Sequence, residues 1–253
     1  MPAVHLQYAQ ELWNKFGYLA AWLPNEHLSL GDVGIVRDGI FEPITSLARL
    51  DIAFDVEPAG GVSELSYTSS DKVTVETNGG VQGGVATAVG ASAGHVTVNF
   101  GSEKSVLFQA SGSKVSRIAD LQSLGNAIIK RSQQDLWGRR HVVVSDLITV
   151  EAATILVSNG KNARIELDVE GELTPTIASL GKANVKLGVR YSAGIDTRIL
   201  CEGGLTPLFK VAGIRGNWLR PDEFARREAR VPPTFAEISY EELLSNDWSE
   251  RVS

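Results

Sequence analysis

An α+β fold is predicted: one large twisted, mainly antiparallel β-sheet with an N-terminal helix, a central helix packed on it and a helical C-terminal tail. Three observations predict it. Strand-like alternation dominates from Asp51 to about Ala110 and again from His141 to Trp218. A single stripe at helical spacing separates these regions. Beyond Trp218 the chain becomes dense in charge with helical periodicity, broken by Pro232-Pro233.

At the N-terminus, Leu6, Ala9, Leu12, Trp13 and Phe16 recur at helical spacing and Gly17 stops the helix. The segment YLAAWLP reads as a short apolar strand ended by Pro24. Two apolar runs around Arg37-Asp38-Gly39 predict a hairpin in DVGIVRDGIFEP. TSLARL supports at most one helical turn. Alternation is clearest in Lys72 to Glu76 and in His95 to Phe100. Val115, Ile118, Leu121, Leu124, Ile128 and Ile129 predict a helix from Ser113 to about Trp137. Strands return in HVVVSDLITVEAATILVSNG, NARIELDVEG, NVKLGVRYS, DTRILCEG and TPLFKVAGIRG. The expected division is a body of residues 1–218 and a tail of residues 219–253.

Composition narrows the function. The 253 residues suffice for a sizeable core, and 43% apolar with 21% charged residues is ordinary for a globular chain. A net charge of −6 argues against a nucleic-acid partner. A single cysteine, Cys201, excludes an internal disulfide framework and fits a reducing compartment. No signal peptide, apolar membrane helix or lipidation motif is legible, so a cytoplasmic protein is expected.

Nothing nominates an enzyme or a cofactor. Gly90-Ala91-Ser92-Ala93-Gly94 matches the nucleophile-elbow pattern G-x-S-x-G, but a β pattern follows where that motif needs a helix. His5, His27, His95 and His141 lie at no metal-ligand spacing. The run GGVQGG lacks the strand-to-helix setting of a dinucleotide loop.

One stretch stands apart. Residues 77 to 102, TNGGVQGGVATAVGASAGHVTVNFGS, contain no Asp, Glu, Lys or Arg. Val81, Val85 and Val89 share one parity, and Val96, Val98 and Phe100 share the other. A bulge or turn near 90 to 95 is therefore expected to swap faces and make a hairpin with one mildly apolar face. Membrane-spanning strands need only about 9–11 residues and alternate apolar with polar positions. A second candidate hairpin alternates Ala163, Ile165, Leu167 and Val169 in one arm with Val185, Leu187 and Val189 in the other. The same patterns suit a Gly-rich surface hairpin or any solvent-facing sheet.

Three stretches are similar to the bacterial gasdermins, short relatives of the pore-forming cell-death proteins. These are FGYLAAWLPNEHLSLGDVGIVRDGIFEPITSLARL, VVVSDLITVEAATILVSNGKNARIEL and GGLTPLFKVAGIRGNW, in order over about residues 10–218. The resemblance implies an inactive cytoplasmic monomer held by a C-terminal segment until a caspase-like or other protease removes it. It further implies a homo-oligomeric ring that inserts two β-hairpins per subunit into the inner membrane, killing the cell in abortive anti-phage defence. In this chain those hairpins would be about 62–110 and 162–200. Phe235, Ile238, Leu243 and Leu244 make a partly apolar face suited to docking the tail, with an ordinary helical terminal extension as the other reading. Arg226, Arg227 and Arg230 lie in ARREARVPP, a candidate cleavage linker.

The resemblance has one gap. Family members often carry an acylated cysteine near the N-terminus, where this chain has Pro2-Ala3-Val4. Lys130, Arg131, Arg139 and Arg140 around Trp137 are candidates for anionic lipid head groups, with a solvated helix end as the other reading. The alternative to a pore is a non-lytic β-rich binding or structural module that uses residues 77–102 for protein contacts.

Overall fold

A computed structural model describes residues 4–23, 27–57, 60, 63–69, 72–77, 80–83, 95–138, 140–170, 180–182, 185–215 and 233–244. The chain begins with α1 (Val4–Phe16), β1 (Leu19–Ala20), β2 (Asp32–Arg37) and β3 (Ile40–Ser46). There follow β4 (Val56–Glu57), β5 (Ser63–Thr68), β6 (Val73–Thr77), β7 (Gly80–Gly83), β8 (His95–Phe100) and β9 (Val106–Ile118). Helix α2 (Leu121–Ser132) precedes β10 (Val142–Val150), β11 (Ala152–Ser158), β12 (Ala163–Glu170), β13 (Lys186–Ala193), β14 (Ile195–Glu202) and β15 (Leu205–Arg215). Strand β16 (Thr234–Glu237) and the short helix α3 (Tyr240–Leu244) come last.

The fold is α+β with a large antiparallel sheet, as the alternation predicts. Eleven strands form that sheet along the path β1-β15-β10-β9-β11-β14, with β16, β2, β3, β4 and β5 joined to it. A five-stranded sheet has the order β13-β12-β8-β6-β7. Two compact units divide the chain. The first holds Met1–His27, Gly60–Val115 and Ile148–Leu208, and the second Leu28–Ala59, Ser116–Leu147 and Phe209–Ser253.

In the first unit, α1 buries Tyr8, Ala9 and Leu12. Gly17 ends it with φ +68°, its N–H donating to the Trp13 carbonyl at 2.8 Å, the left-handed stop that glycine tolerates best. The expected strand YLAAWLP shrinks to Leu19–Ala20. Strand β11 is buried along its whole length between β9 and β14, which explains why ATILV reads as a nearly continuous apolar run. Glu11 fastens α1 to β5, its Oε2 accepting from Tyr67 Oη at 3.1 Å and from Ser69 Oγ at 2.5 Å.

In the second unit, β2 and β3 form the predicted hairpin, with Asp38 and Gly39 both at positive φ (51° and 77°). That pairing is the two-residue turn whose twist matches the strands. Helix α2 starts eight residues later than the stripe predicts, because β9 runs on to Ile118. Asp120 sets the boundary: its carboxylate accepts from the Ser123 N–H at 2.9 Å and from Ser123 Oγ at 2.5 Å. Ile118 still joins Leu124 and Ile128 in one core, so strand and helix residues feeding the same cluster mimicked a longer stripe. Val115 lies on β9, not on a helix. The tail differs too. The helical piece expected before Pro232-Pro233 lies outside the described residues, and in the piece after it Thr234–Glu237 is strand while Tyr240–Leu244 is helix.

Candidate functional site: two β-hairpins and a docked tail

The five-stranded sheet brings the two candidate hairpins side by side. Strand β8 pairs antiparallel with β12, Val98 opposite Ile165 and Val96 opposite Leu167. Strand β12 pairs in turn with β13, and β6 pairs with both β8 and β7. Alternation in β6, β8 and β12 is realised in burial: Val73, Val75, Val96, Val98, Phe100, Ile165, Leu167 and Val169 all enter one core cluster. Val185 enters it as well, Leu187 packs against it partly buried, and Val189 stands 40% exposed.

The opposite face is polar and cross-linked between strands. Asn99 Nδ2 of β8 donates to Glu76 Oε1 of β6 at 3.0 Å, and within β12 Arg164 pairs with Glu166 at 2.8 Å. His95 joins the two candidate hairpins, with Nδ1 2.6 Å from Asp168 Oδ1 and Nε2 3.0 Å from Arg190 Nη1. Arginine only donates, so Nε2 accepts and Nδ1–H donates to the carboxylate.

The bulge or turn expected near 90 to 95 in the uncharged ribbon lies outside the described residues. The first residues of the ribbon turn back on β6, Thr77 opposite Gly80 and Glu76 opposite Val81, while β8 pairs on the other edge of β6. A two-residue connection of sequence Asn78-Gly79 joins those strands, the strongest short hairpin signal a sequence carries, and it went unread. Val85, Val89 and Ser92 lie outside the described residues. Val98 is fully buried, so it is a core residue of this state and not a surface position.

The tail is built into the second unit. Strand β16 adds antiparallel to the end of β15, with Phe235 opposite Ile214 and Glu237 opposite Ala212. Phe235 packs on the cluster of Val33, Leu47, Leu124, Ile128 and Trp137. A Cβ on Gly125 of α2 would sit 2.6 Å from the Phe235 Cβ, so glycine there makes the fit possible. Ile238, Tyr240 and Leu243 are buried, whereas Leu244 is 41% exposed. Ser239 and Glu242 form a capping box: Glu242 N–H donates to Ser239 Oγ at 3.2 Å, and Ser239 N–H to Glu242 Oε2 at 2.8 Å. The S-x-x-E spacing that announces it was legible in Ser239-Tyr240-Glu241-Glu242 and was missed.

Charge finishes the docking. Arg215 pairs with Glu242 at 2.5 Å and Lys210 with Glu237 at 3.2 Å. Asp146 is buried beside them, 3.4 Å from Arg117 Nε. Burial pushes its carboxyl above the usual range and the charge of Glu237 adds to the rise, while Lys210, Arg117 and Ser145 pull against it. Lys130 and Arg131 occupy the last turn of α2, where a helix end favours cations, and Trp137 beside them is core. Arg140 is half-buried; Arg139, Arg226, Arg227 and Arg230 lie outside the described residues.

Among the described residues, no helix is long and apolar enough to cross a membrane, a test that says nothing of strands. No curated protein matches the chain. A family model described as the Bacterial Gasdermin Family matches residues 22–202, a span that contains both candidate hairpins and covers well over half of the chain. With that match over the sheets just described, the chain belongs to the bacterial gasdermin family, whose members are pore-forming proteins and not enzymes.

Proposed function

We propose that this chain is an autoinhibited pore former, with residues 1–218 as the pore-forming core and 219–253 as an inhibitory tail. A caspase-like or other protease cuts near Arg226, Arg227 and Arg230. The core then oligomerises and inserts hairpins 62–110 and 162–200 into the inner membrane, killing the cell in anti-phage defence. Before cleavage the chain is a cytoplasmic monomer. No cofactor takes part.

The observation that carries this reading is the docking of Thr234–Leu244 by strand addition, an aromatic plug and two ion pairs. A linked segment rebinds at an effective concentration of order millimolar. Cutting the linker abolishes that advantage without altering one contact, so modest docking energy suffices for a sharp switch. The driving force after release is burial of the alternating apolar face in lipid and closure of strand edges between subunits. Strands β13 and β7 are the edges of the five-stranded sheet and are the natural joints for such closure.

Dye release from liposomes of bacterial lipid tests this with the full chain and chains ending at Trp218 and Arg230. Leakage from a truncated form and none from the full chain is the expected result. Silence from all three, each shown folded, overturns the reading and favours a non-lytic binding module.

A further inference from the structure

The return segment of the second hairpin carries its own fastening, remote in sequence from the tail. Leu180 is 2% exposed and sits in the core cluster of the five-stranded sheet. Its carbonyl accepts from Thr154 Oγ1 of β11. The next carbonyl, of Gly181, accepts from Ser111 Oγ of β9 at 2.7 Å. Gly181 lies so close to β9 that a Cβ would meet the Gln109 carbonyl carbon at 2.6 Å and the Ala110 nitrogen at 2.8 Å. No side chain fits there, so only glycine permits the approach. Lys182 reaches Glu64 of β5 at 4.0 Å.

Gln109 gives this contact a second meaning. In the β9–β11 register Gln109 is opposite Thr154, and Ser111 is opposite Ala152. Residues of equal parity, and residues directly opposite, share a face of the sheet. Gln109 therefore points to the same face as Ser111 and Thr154, the face that Leu180 and Gly181 cover. Its side chain is fully buried, and neither Nε2 nor Oε1 has a hydrogen-bond partner. A buried amide left unpaired opposes the closed arrangement that buries it.

We infer that Leu180–Lys182 is a second latch, separate from the C-terminal tail, which holds hairpin 162–200 closed and which Gln109 biases toward opening. Ser111, Thr154 and Gly181 are its positioning residues. The latch rests on the proposed pore function for its consequence but not for its existence. Removing the tail alone leaves it shut, so opening it sets the delay between cleavage and leakage.

Opposite substitutions test it. Ser111→Ala with Thr154→Val removes both fastening hydrogen bonds, and Gln109→Leu removes the unpaired amide. Hydrogen exchange on the full soluble chain is the primary measurement. The double variant is expected to exchange about tenfold faster in β12 and β13 with β16 unchanged, and Gln109→Leu to exchange more slowly there. In the chain ending at Trp218, leakage lag should shorten in the first and lengthen in the second. Unchanged exchange in β12 and β13, or equal acceleration in β16, overturns the latch. Selective exchange changes without leakage from any truncated chain, wild type included, uphold the latch and refute the pore instead.

Discussion

The two arms of the second hairpin have the same alternating sequence and opposite fates. In β12 every apolar position, Ala163, Ile165, Leu167 and Val169, is buried, because β12 lies between β8 and β13 above the core cluster. Along β13 the cover is lost: Val185 just before the strand is buried, Leu187 is half-buried, and Val189 and Tyr191 are exposed. Strand β13 is an edge, and its register shifts between Glu166 and Leu167, where Tyr191 and then Val189 stand opposite. Arg190 is the extra residue of that bulge, and it moves Tyr191 opposite the outward Glu166. Alternation thus states which side chains share a face only as far as the next bulge. What covers the face is decided by neighbours in space.

For a protein that must enter lipid, the difference has a direct consequence. In the proposed insertion strand β12 exchanges a protein core for acyl chains, whereas β13 already presents apolar side chains to solvent. Aspartate placed on each arm should separate these roles most sharply. Ile165→Asp, like Val98→Asp on β8, buries a charge with no partner and should cost roughly 4 kcal/mol or more, read as a fall in Tm by circular dichroism. Val98→Asp is therefore no test of membrane contact alone, despite its place in the uncharged ribbon. Val189→Asp should leave soluble stability within about 0.5 kcal/mol and reduce leakage from the chain ending at Trp218 at least about tenfold. Equal loss of stability in both arms would erase the distinction.

The tail supplies another strand, β16 on β15, and here the apolar residue is docked. Phe235→Ala should cost about 2 kcal/mol, less than a fully buried phenylalanine, and accelerate exchange in 233–244 while β12 is unaffected. Uncut chain should then leak. A smaller effect comes from Asp146. A carboxyl whose folded pKa is raised binds its proton more tightly when folded, so it favours the folded state at low pH. That contribution fades as pH climbs from the ordinary carboxylate range through the raised folded value. Asp146→Asn should therefore be more stable than the parent at pH 7, with the gap closing near pH 4, as thermal melts would reveal. Arg215→Ala should be the mildest, at most about 1 kcal/mol and less in 1 M salt, since its ion pair with Glu242 is partly exposed.

Much of this was readable in advance where the signal is local. Alternation in β6, β8 and β12, the Gly17 stop and the Asp38-Gly39 turn all act within a few residues, and each produced the predicted element. Other local signals were present and overlooked: Asn78-Gly79, Asp120 before Ser123, and the Ser239–Glu242 box. What could not be read is long-range. Gly181 against β9, Glu11 against Tyr67 and Ser69, and Phe235 over Gly125 join residues far apart in the chain. The bulge at Arg190 has no signature in its own residue type. The helix overreach at Val115 and Ile118 arose because a strand and a helix fed one core at coincident spacing.

The most direct measurement places an environment-sensitive fluorophore at position 189 or 186, by Val189→Cys or Lys186→Cys with Cys201 replaced by serine. In the full chain both positions should report water. In the chain ending at Trp218 with liposomes, the probe at 189 should shift to the blue and be quenched by nitroxides in the acyl chains, while the probe at 186 stays aqueous. Leakage with both probes still in water would contradict the account, because the pore would then form without the exposed face of β13.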